Sequence, residues 1–556
     1  MKDTRTKNLI KLLSFSICFS MLTGLTAQNK QKLVSYQGSI NLGTALYFNN
    51  NENNRFNPLS WRIAGRQNIK LWKFNAPLRF LLSSSGKELD YSFSRIGFTP
   101  KYKSYKIYLG HTSMNFSEYT LARKNIFGVG VEGNPGIFRF GAMYGKIRSF
   151  NLQQKFVDEF GASTIRSFER KAIGGKIGIG KRNNYLDFIA FKSIDALKDD
   201  VEGDTITIEP HENFILGTKL KLTPIKKITI ESSIAASGFT TDRRDASLLE
   251  ENSSLSRIYN PTTSNRLNYA GHAQIKLQLK QSSIGLKYKR VDPFFRSLGS
   301  MFFQNDLEEI TANLAWRNKS GKLSVNSNVG FFQDNISLTK VQESRRWISS
   351  IFISAAPNNS FGFNVSFSNY QRTTEGQIIE FNDTLRQVSV SRNLSFSAYQ
   401  NLVTNKDFIL KTNGYLGFQN FNDVSAVSEF NNGYKSYSSN LGFKLNFINK
   451  KLIISPSALY ASYIFSGRET TRYGARLSII KSMLDQKLRF SANLSYLLND
   501  IENKRNGRVI KYQIQTHYQI NPKNALNLRA IGIKRIAVIA NDFSEYRILL
   551  GYGINF

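Results

Sequence analysis

Apolar and polar side chains take turns along nearly the whole chain. In one stretch Leu488, Phe490, Ala492, Leu494, Tyr496 and Leu498 alternate with Arg489, Ser491, Asn493, Ser495 and Leu497. Another sets Ile510, Tyr512, Ile514, Thr516 and Tyr518 against Lys511, Gln513, Gln515 and His517. The same alternation runs through Phe361–Phe367, Leu441–Phe447, Tyr473–Ile479 and Ile275–Leu279. A period of two is a strand with unlike surroundings on its two faces. Each predicted strand lasts about ten residues, the length a tilted strand needs to cross a bilayer.

The connections carry a second pattern. Short, turn-rich links lie at Lys73–Pro77, Thr99–Ser104, Gly133–Gly136, Gly180–Asn184, Thr223–Lys226 and Lys280–Ser282. More follow at Arg317–Lys322, Ala356–Ser360, Gln400–Lys406, Ile448–Lys451, Ser482–Gln486 and Ile520–Asn524. The links between them are polar and mostly longer, the longest near Ile147–Arg170, Ser193–His211, Gly238–Ser264 and Gln419–Gly433. A soluble sandwich has no reason to sort its loops in this way, whereas an outer-membrane barrel has short periplasmic turns and long outer loops. The expected fold is therefore all-β: a transmembrane antiparallel outer-membrane β-barrel of about 26 strands, within a range of about 24–26. Its first strand is predicted near Leu33–Phe48 and its last near Ser544–Phe556.

The last strand carries Tyr546, Ile548, Leu550, Tyr552, Ile554 and Phe556 on one face and ends there. It has to close the sheet against the first strand and leave no edge. Tyr552, Ile554 and Phe556 resemble the C-terminal signal read by the outer-membrane assembly machinery. That resemblance implies a bacterial outer membrane and makes the machinery an expected partner.

At the other end Lys2, Arg5, Lys7 and Lys11 precede a mostly apolar run, Leu12–Leu25, and Ala27 offers a small residue for cleavage. Residues 1–27 read as a secretory signal peptide and 28–556 as a single barrel. The only cysteine, Cys18, falls within the signal, so no disulfide or thiolate chemistry is expected of the mature chain. Few residues precede the first strand, so neither an N-terminal plug domain of the TonB-dependent type nor periplasmic repeats are expected. Mean hydropathy is −0.32, a soluble-looking value that a barrel shares because half of each strand faces water. Only 11 prolines occur in 556 residues, in keeping with long sheets.

The formal charge of +35 raises the question of where the cations point. Nucleic acid is an unsuitable partner for a secreted barrel, and charge on the lipid face is costly. Lys and Arg recur in the polar register instead: Arg62, Arg66, Lys70, Arg139, Lys276, Lys280, Lys287, Lys289, Lys444, Arg472, Arg476, Arg489 and Lys511. A lumen lined this way favours anions. Cations near the rims would pair with lipopolysaccharide phosphates.

Catalytic and metal signals are weak. His111, His211, His272 and His517 are far apart and lack metal-ligand spacing, and there is no GxSxG nucleophile elbow. Lys198–Asp204 is acidic but does not match an EF-hand, so a solvated loop is expected there. The glycines of Gly128–Gly136 precede no helix and read as turn geometry, not as a phosphate loop. No enzyme activity, cofactor or metal is expected. The stretch Arg290, Val291, Asp292, Pro293, Phe294 and Phe295 opens a loop whose aromatic pair suits either an ordered lid over the mouth or a partner-docking element.

Two segments, FGVGVEGNPGIFRFGAMYG (Phe127–Gly145) and YKRVDPFFRSLGSMFFQND (Tyr288–Asp306), resemble motifs of large porin-like barrels of Bacteroidota outer membranes. The Ala27–Gln28 junction is similar to signal cleavage sites in that group. A looser similarity runs to the giant barrels of the type 9 secretion apparatus. These resemblances imply a barrel and a lineage, and bring no catalytic residue or substrate. The leading expectation is a pore, plugged by its own loops or by a partner. The alternative is a scaffold that docks surface lipoproteins or secreted proteins. Either way both termini are expected in the periplasm. Epitope tags placed in Ile147–Arg170 and Gly238–Ser264 should then be labelled on intact cells, while a tag in Thr223–Lys226 stays hidden. The reverse labelling pattern would mean that the topology is inverted.

Overall fold

The structure is a computed structural model. It describes residues 34–556 except 51–55, 85–94, 149–154, 159–160, 165–167, 197–208, 249–258, 301–304, 337–344, 375–386, 424–432 and 539–541. The segment expected to be a signal peptide and the acidic stretch Lys198–Asp204 lie outside the described residues.

The strands are β1 (Val34–Asn49), β2 (Leu59–Leu71), β3 (Phe74–Ser83), β4 (Arg95–Phe98), β5 (Lys101–Tyr102), β6 (Tyr105–Thr112), β7 (Ile126–Gly133) and β8 (Phe138–Arg148). A small hairpin, β9 (Lys155–Asp158) and β10 (Gly161–Thr164), forms its own sheet. There follow β11 (Arg170–Lys181), β12 (Asn184–Asp195), β13 (Glu212–Ile225), β14 (Ile228–Thr240), β15 (Asn265–Gln278), β16 (Ser282–Val291), β17 (Leu307–Arg317), β18 (Leu323–Asp334), β19 (Arg345–Ala355) and β20 (Phe361–Thr374). The chain finishes with β21 (Gln387–Thr404), β22 (Phe408–Asp423), β23 (Tyr434–Phe447), β24 (Leu452–Phe465), β25 (Arg468–Met483), β26 (Leu488–Ile501), β27 (Lys504–Asn521), β28 (Asn524–Ala537) and β29 (Phe543–Asn555).

All but the small hairpin form one antiparallel sheet of 27 segments in which β1 pairs with both β2 and β29. The segments β4 and β5 are two pieces of one strand, because both lie between β3 and β6. The break falls at Thr99–Pro100, where proline has no N–H to give the ladder. The ring therefore has 26 strands and is closed, an outer-membrane-type β-barrel. No helix among the described residues is long and apolar enough to cross a membrane.

The turns on one side are tight, as at Trp72 (φ 56°) and Lys103 (φ 51°). On the opposite side two links are equally tight. Ser466–Gly467 (φ 47° and 78°) and Glu502–Asn503 (φ 48° and 61°) have both central residues left-handed, the geometry that matches strand twist. They join some of the longest strands in the barrel.

The closing seam pairs Ile40 with Ile554 and Leu42 with Tyr552. One further rung comes from the last residue: Phe556 N–H donates to Gly38 O at 3.0 Å, and Gly38 N–H donates to Phe556 O at 2.9 Å. The Phe556 ring stacks on Tyr36, with centroids 4.7 Å apart and planes 11° apart. It lies over Gly38 so closely that a Cβ there would collide with it. The seam thus depends on an aromatic final residue and on a missing side chain opposite. Phe556→Asp and Gly38→Val should both lower the yield of heat-modifiable, folded barrel, whereas Asn555→Asp, on the other face, should be milder. Equal folded yields on semi-native gels for all three variants would contradict the register at this seam.

Candidate functional site, the barrel interior

The pairing register carries one face continuously around the ring. One file holds Leu42, Trp61, Ile177, Leu416, Leu494 and Leu550, all large, apolar and exposed, as a lipid-facing surface requires. The other file is polar, and a single short segment shows that it is the inner one. Met114 packs over Gly130 of β7, Phe116 over Gly141 of β8 and Gly174 of β11, and Thr120 over Gly217 of β13. The Tyr119 hydroxyl meets His272 Nδ1 of β15 at 3.1 Å. Along the wall from β7 to β15 is about 29 Å at the usual strand spacing. The chain from 114 to 119 reaches about 17 Å at most. Only a concave face lets so short a segment touch strands so far apart.

That segment, residues 113–125 between β6 and β7, interlocks with residues 292–300 after β16. Ala122 N–H donates to Gly299 O at 3.0 Å, Ser297 Oγ to Thr120 O at 2.6 Å and Ser300 Oγ to Glu118 O at 3.0 Å. Asn213 of β13 ties the second segment to the wall. Its Oδ1 accepts from Leu298 N–H at 3.0 Å, and its Nδ2 donates to Ser237 Oγ at 2.8 Å and Gly238 O at 3.0 Å. Gly299 has no room for a side chain, since a Cβ would fall 2.5 Å from the Phe191 ring. Met114, Phe116, Tyr119, Leu121 and Phe295 join Phe191, Ile215, Val291 and Leu307 in one buried apolar cluster. The conventional hydrophobic core of this protein is therefore inside the barrel, against one part of the wall. Burial raises the pKa of the Tyr119 hydroxyl, and the nearby carboxylates of Glu118 and Glu309 raise it further.

The motif Arg290–Phe295 divides at this point. Arg290 is rim-exposed, and the Asp292 carboxylate accepts from Tyr269 N–H at 2.9 Å and Arg290 Nε at 3.4 Å. Pro293 leads into Phe294, which is left-handed (φ 62°) and exposed, with the Arg266 guanidinium 4.5 Å above its ring. Phe295 turns inward and meets Tyr119 edge-on at 6.1 Å. The aromatic pair has one ring buried in the inner cluster and one exposed.

Of the thirteen cations singled out from the sequence, all but Lys280, which lies in the turn between β15 and β16, are in the inner register. Pairings link Arg62 to Gly43, Gly551, Asn527, His517 and Arg489 in turn around the ring, and Lys511 through Ser495 to Arg476. Arg66, Lys70, Arg139, Lys276, Lys287, Lys444 and Arg472 share that face. Their electrostatic settings differ. In the sector around the inner segment, cations have acidic partners: Arg139 binds Asp187 through two bonds of 2.6 and 2.9 Å, and Lys176 meets Glu132 at 2.5 Å. Lys221 meets Glu231 at 2.5 Å, and Lys289 lies 3.9 Å from Glu118. Arg139 thus adds little net charge to the lumen. From β25 through the seam to β3, Arg476, Arg489, Lys511, Arg62, Arg66 and Lys70 are exposed to the interior and have no ion-pair partner among the described residues. Arg472 is held by Asn499 Oδ1 at 2.7 Å.

The same sector contains cations that the sequence pattern did not single out for the lumen, among them Arg79, Arg529 and Arg547. Arg79 sits directly opposite Arg66. Arg529 donates to Gln513 at 3.0 Å, and Arg547 lies 4.8 Å from the Phe56 ring. Ile531 and Ile533 of β28 also face inward, which blurs the alternation that would have placed Arg529. The four histidines are dispersed in structural settings. His111 is tilted against Phe127 at 4.7 Å, His211 Nδ1 lies 2.7 Å from Thr241 O, and His517 Nδ1 lies 2.7 Å from Asn527 Oδ1. The fourth, His272, faces Tyr119. The described residues contain no group of side chains able to hold a metal ion. The glycines at 128–133 belong to β7, where Gly128 and Gly130 let neighbouring backbone and Met114 approach.

No family model matches the chain, and no curated protein matches it. Among solved structures it is similar to the translocation pore of the P pilus usher PapC, with 9% identity over 94% of this chain and 99% of that one and a TM-score of 0.37. It is also similar to the FrpB iron transporter of Neisseria meningitidis, with 11% identity over 97% and 83% and a TM-score of 0.38. For OccAB4 of Acinetobacter baumannii the identity is 13% over 67% and 97%, with a TM-score of 0.29. At these scores the likenesses fix neither a family nor a function.

Asn213 is fully buried, and its side chain joins the inner segment to the wall. Asn213→Ala removes these bonds and strands Leu298 N–H, a local loss of about 1–3 kcal/mol. Trypsin should then cut after Arg296 faster than in the unaltered barrel. Equal cleavage rates would mean that Asn213 does not hold the segment.

Proposed function

We propose that the protein is an outer-membrane pore narrowed by its own two interlocked segments, with a conducting path that favours anions. The observation that supports this most directly is the division of the inner wall. One sector pairs Arg139, Lys176, Lys221 and Lys289 with carboxylates and is covered by residues 113–125 and 292–300. The other presents Arg62, Arg66, Arg79, Arg476, Arg489, Lys511 and Arg529 without acidic partners among the described residues. Fixed positive charge along a water-filled wall lowers the entry cost of anions and raises that of cations. In this reading both termini are periplasmic and the exposed rim cations meet lipopolysaccharide phosphates. Phe294, exposed beside Arg266, gives a second use some support: the same rim serving as a dock for a surface lipoprotein or secreted protein.

Reversal potentials in planar bilayers under a KCl gradient test the pore. The expected outcome is chloride preference that fades as salt rises, because the Debye length falls to about 3 Å at 1 M. Arg476→Glu, Arg489→Glu and Lys511→Glu together should shift the preference toward potassium. Cation preference in the unaltered protein would reject the basic-wall mechanism. Absence of conductance would move the assignment to the docking role.

A further inference from the structure

Between the covered sector and the basic sector, the inner wall from β18 to β24 changes character again. Its middle rows carry serine and asparagine in place of charge. One row reads Asn364, Ser397, Tyr415 and Asn440 on successive pairings, and the next reads Ser366, Ser395, Gly417 and Ser438. Exposed aromatic rings stand among them: Phe352 on β19, Tyr399 on β21, Tyr415 on β22 and Tyr463 on β24, each 38–45% exposed. Aromatic girdles of membrane barrels face outward to the lipid interface. These four rings share the inner register and need another explanation.

Two of them lie flat. Tyr399 is directly opposite Gly362, and a Cβ on that glycine would fall 2.7 Å from the tyrosine ring. Tyr415 leans over Gly417 in the same way, with its hydroxyl 2.6 Å from where a Cβ would be. Rings over glycines also occur on the outer face, for instance Phe80 over Gly65, where lipid covers the free side. Inside, the free side of the ring faces water. Leaving it wet costs about 25 cal/mol for each Å² of apolar surface. Tyr399 and Tyr415 are diagonal neighbours, two residues apart in register across adjacent strands. Beside Phe352 the wall hollows into a recess of about 520 Å³ lined by Asn313, Asn326, Asn328, Ser350 and Ser366, with Lys276 as its one charged lining residue. The side-chain oxygen of Asn328 has no hydrogen-bond partner among the described residues.

We propose that the uncharged middle rows of this sector bind oligosaccharides. A pyranose ring has an apolar C–H face and a rim of hydroxyls that both donate and accept. Flat aromatic rings match the first, and a field of hydroxyls and amides, each able to donate and accept, matches the second. An ionic ligand has no counter-charge in these rows, and a purely apolar one would leave the polar rows unpaired. Movement of the sugar through the barrel rests on the pore reading. Binding does not.

The test is equilibrium dialysis of the folded full chain in detergent against fluorescently labelled maltohexaose, cellohexaose and xylohexaose, all uncharged sugars. At least one should bind saturably. Replacing Phe352, Tyr399 and Tyr415 together by alanine should weaken it by at least about tenfold. Tyr399→Phe with Tyr415→Phe, which keeps the rings, should stay within about threefold. Heat-modifiability on gels checks that each variant is folded. No saturable binding of any of the three sugars, or binding untouched by loss of the rings, overturns the proposal. Binding by a barrel that conducts no ions keeps the saccharide site and rejects the pore.

Discussion

Everything in this molecule follows from the requirement that backbone N–H and C=O groups inside a membrane be paired within the protein. A sheet meets that demand only when it has no edge. The pairing of β1 with β29 removes the edge, and the last rung is made by the terminal residue itself, Phe556 with Gly38. Closure then dictates the rest. Once the ring exists, each strand has one face to lipid and one to the interior. A single register, carried by cross-strand pairs from Arg62 to Arg489, decides the fate of every side chain.

Inside such a ring, water is available, so polar groups need not be satisfied by the protein. That freedom is used unevenly. Where residues 113–125 and 292–300 lie on the wall, water is excluded and the chemistry becomes that of a globular core. Lys176 has Glu132, Arg139 has Asp187, and Asn213 satisfies Leu298 N–H, Ser237 and Gly238 together. An unpaired charge there would cost several kcal/mol. Where the wall is wet, no such penalty applies. Lys411 stands directly opposite Lys444 and Arg66 opposite Arg79, arrangements that a dry interior would not tolerate. The distribution of paired and unpaired cations is thus a record of which parts of the interior hold water.

Strand alternation was legible from the sequence because lipid imposes a demand on each outward position separately: Leu494, Tyr512 and Ile554 must each be apolar whatever their neighbours are. The strand number and the seam follow from that local rule. The interrupted strand β4–β5 was the harder case, since Pro100 breaks the ladder that defines the pattern. The interlocked segments obey no local rule. Residues 113–125, SMNFSEYTLARKN, have no period of two or of 3.6, and their apolar members are recognisable as core only beside Phe191, Ile215 and Phe295. The two rings of Phe294 and Phe295 are equivalent as letters. A left-handed backbone at Phe294 separates them, leaving one exposed and the other buried, and no spacing argument reports that.

The inner aromatics show the limit from the other direction. On the outer face a Tyr or Phe is uninformative, since lipid accepts any apolar ring. On the inner face the same ring sits where serine and asparagine would cost less, so its presence asks for a cause. Tyr399 and Tyr415 sit flush over Gly362 and Gly417, which holds them against the wall and leaves one face to the lumen. Packing over glycine explains the side of the ring that is covered. It does not explain why these two and the rings of Phe352 and Tyr463 collect in the sector whose middle rows carry no charge. Wall stability alone would scatter them. A ligand whose surface is half C–H and half hydroxyl requires them to be together, beside hydroxyls and amides and away from guanidinium groups.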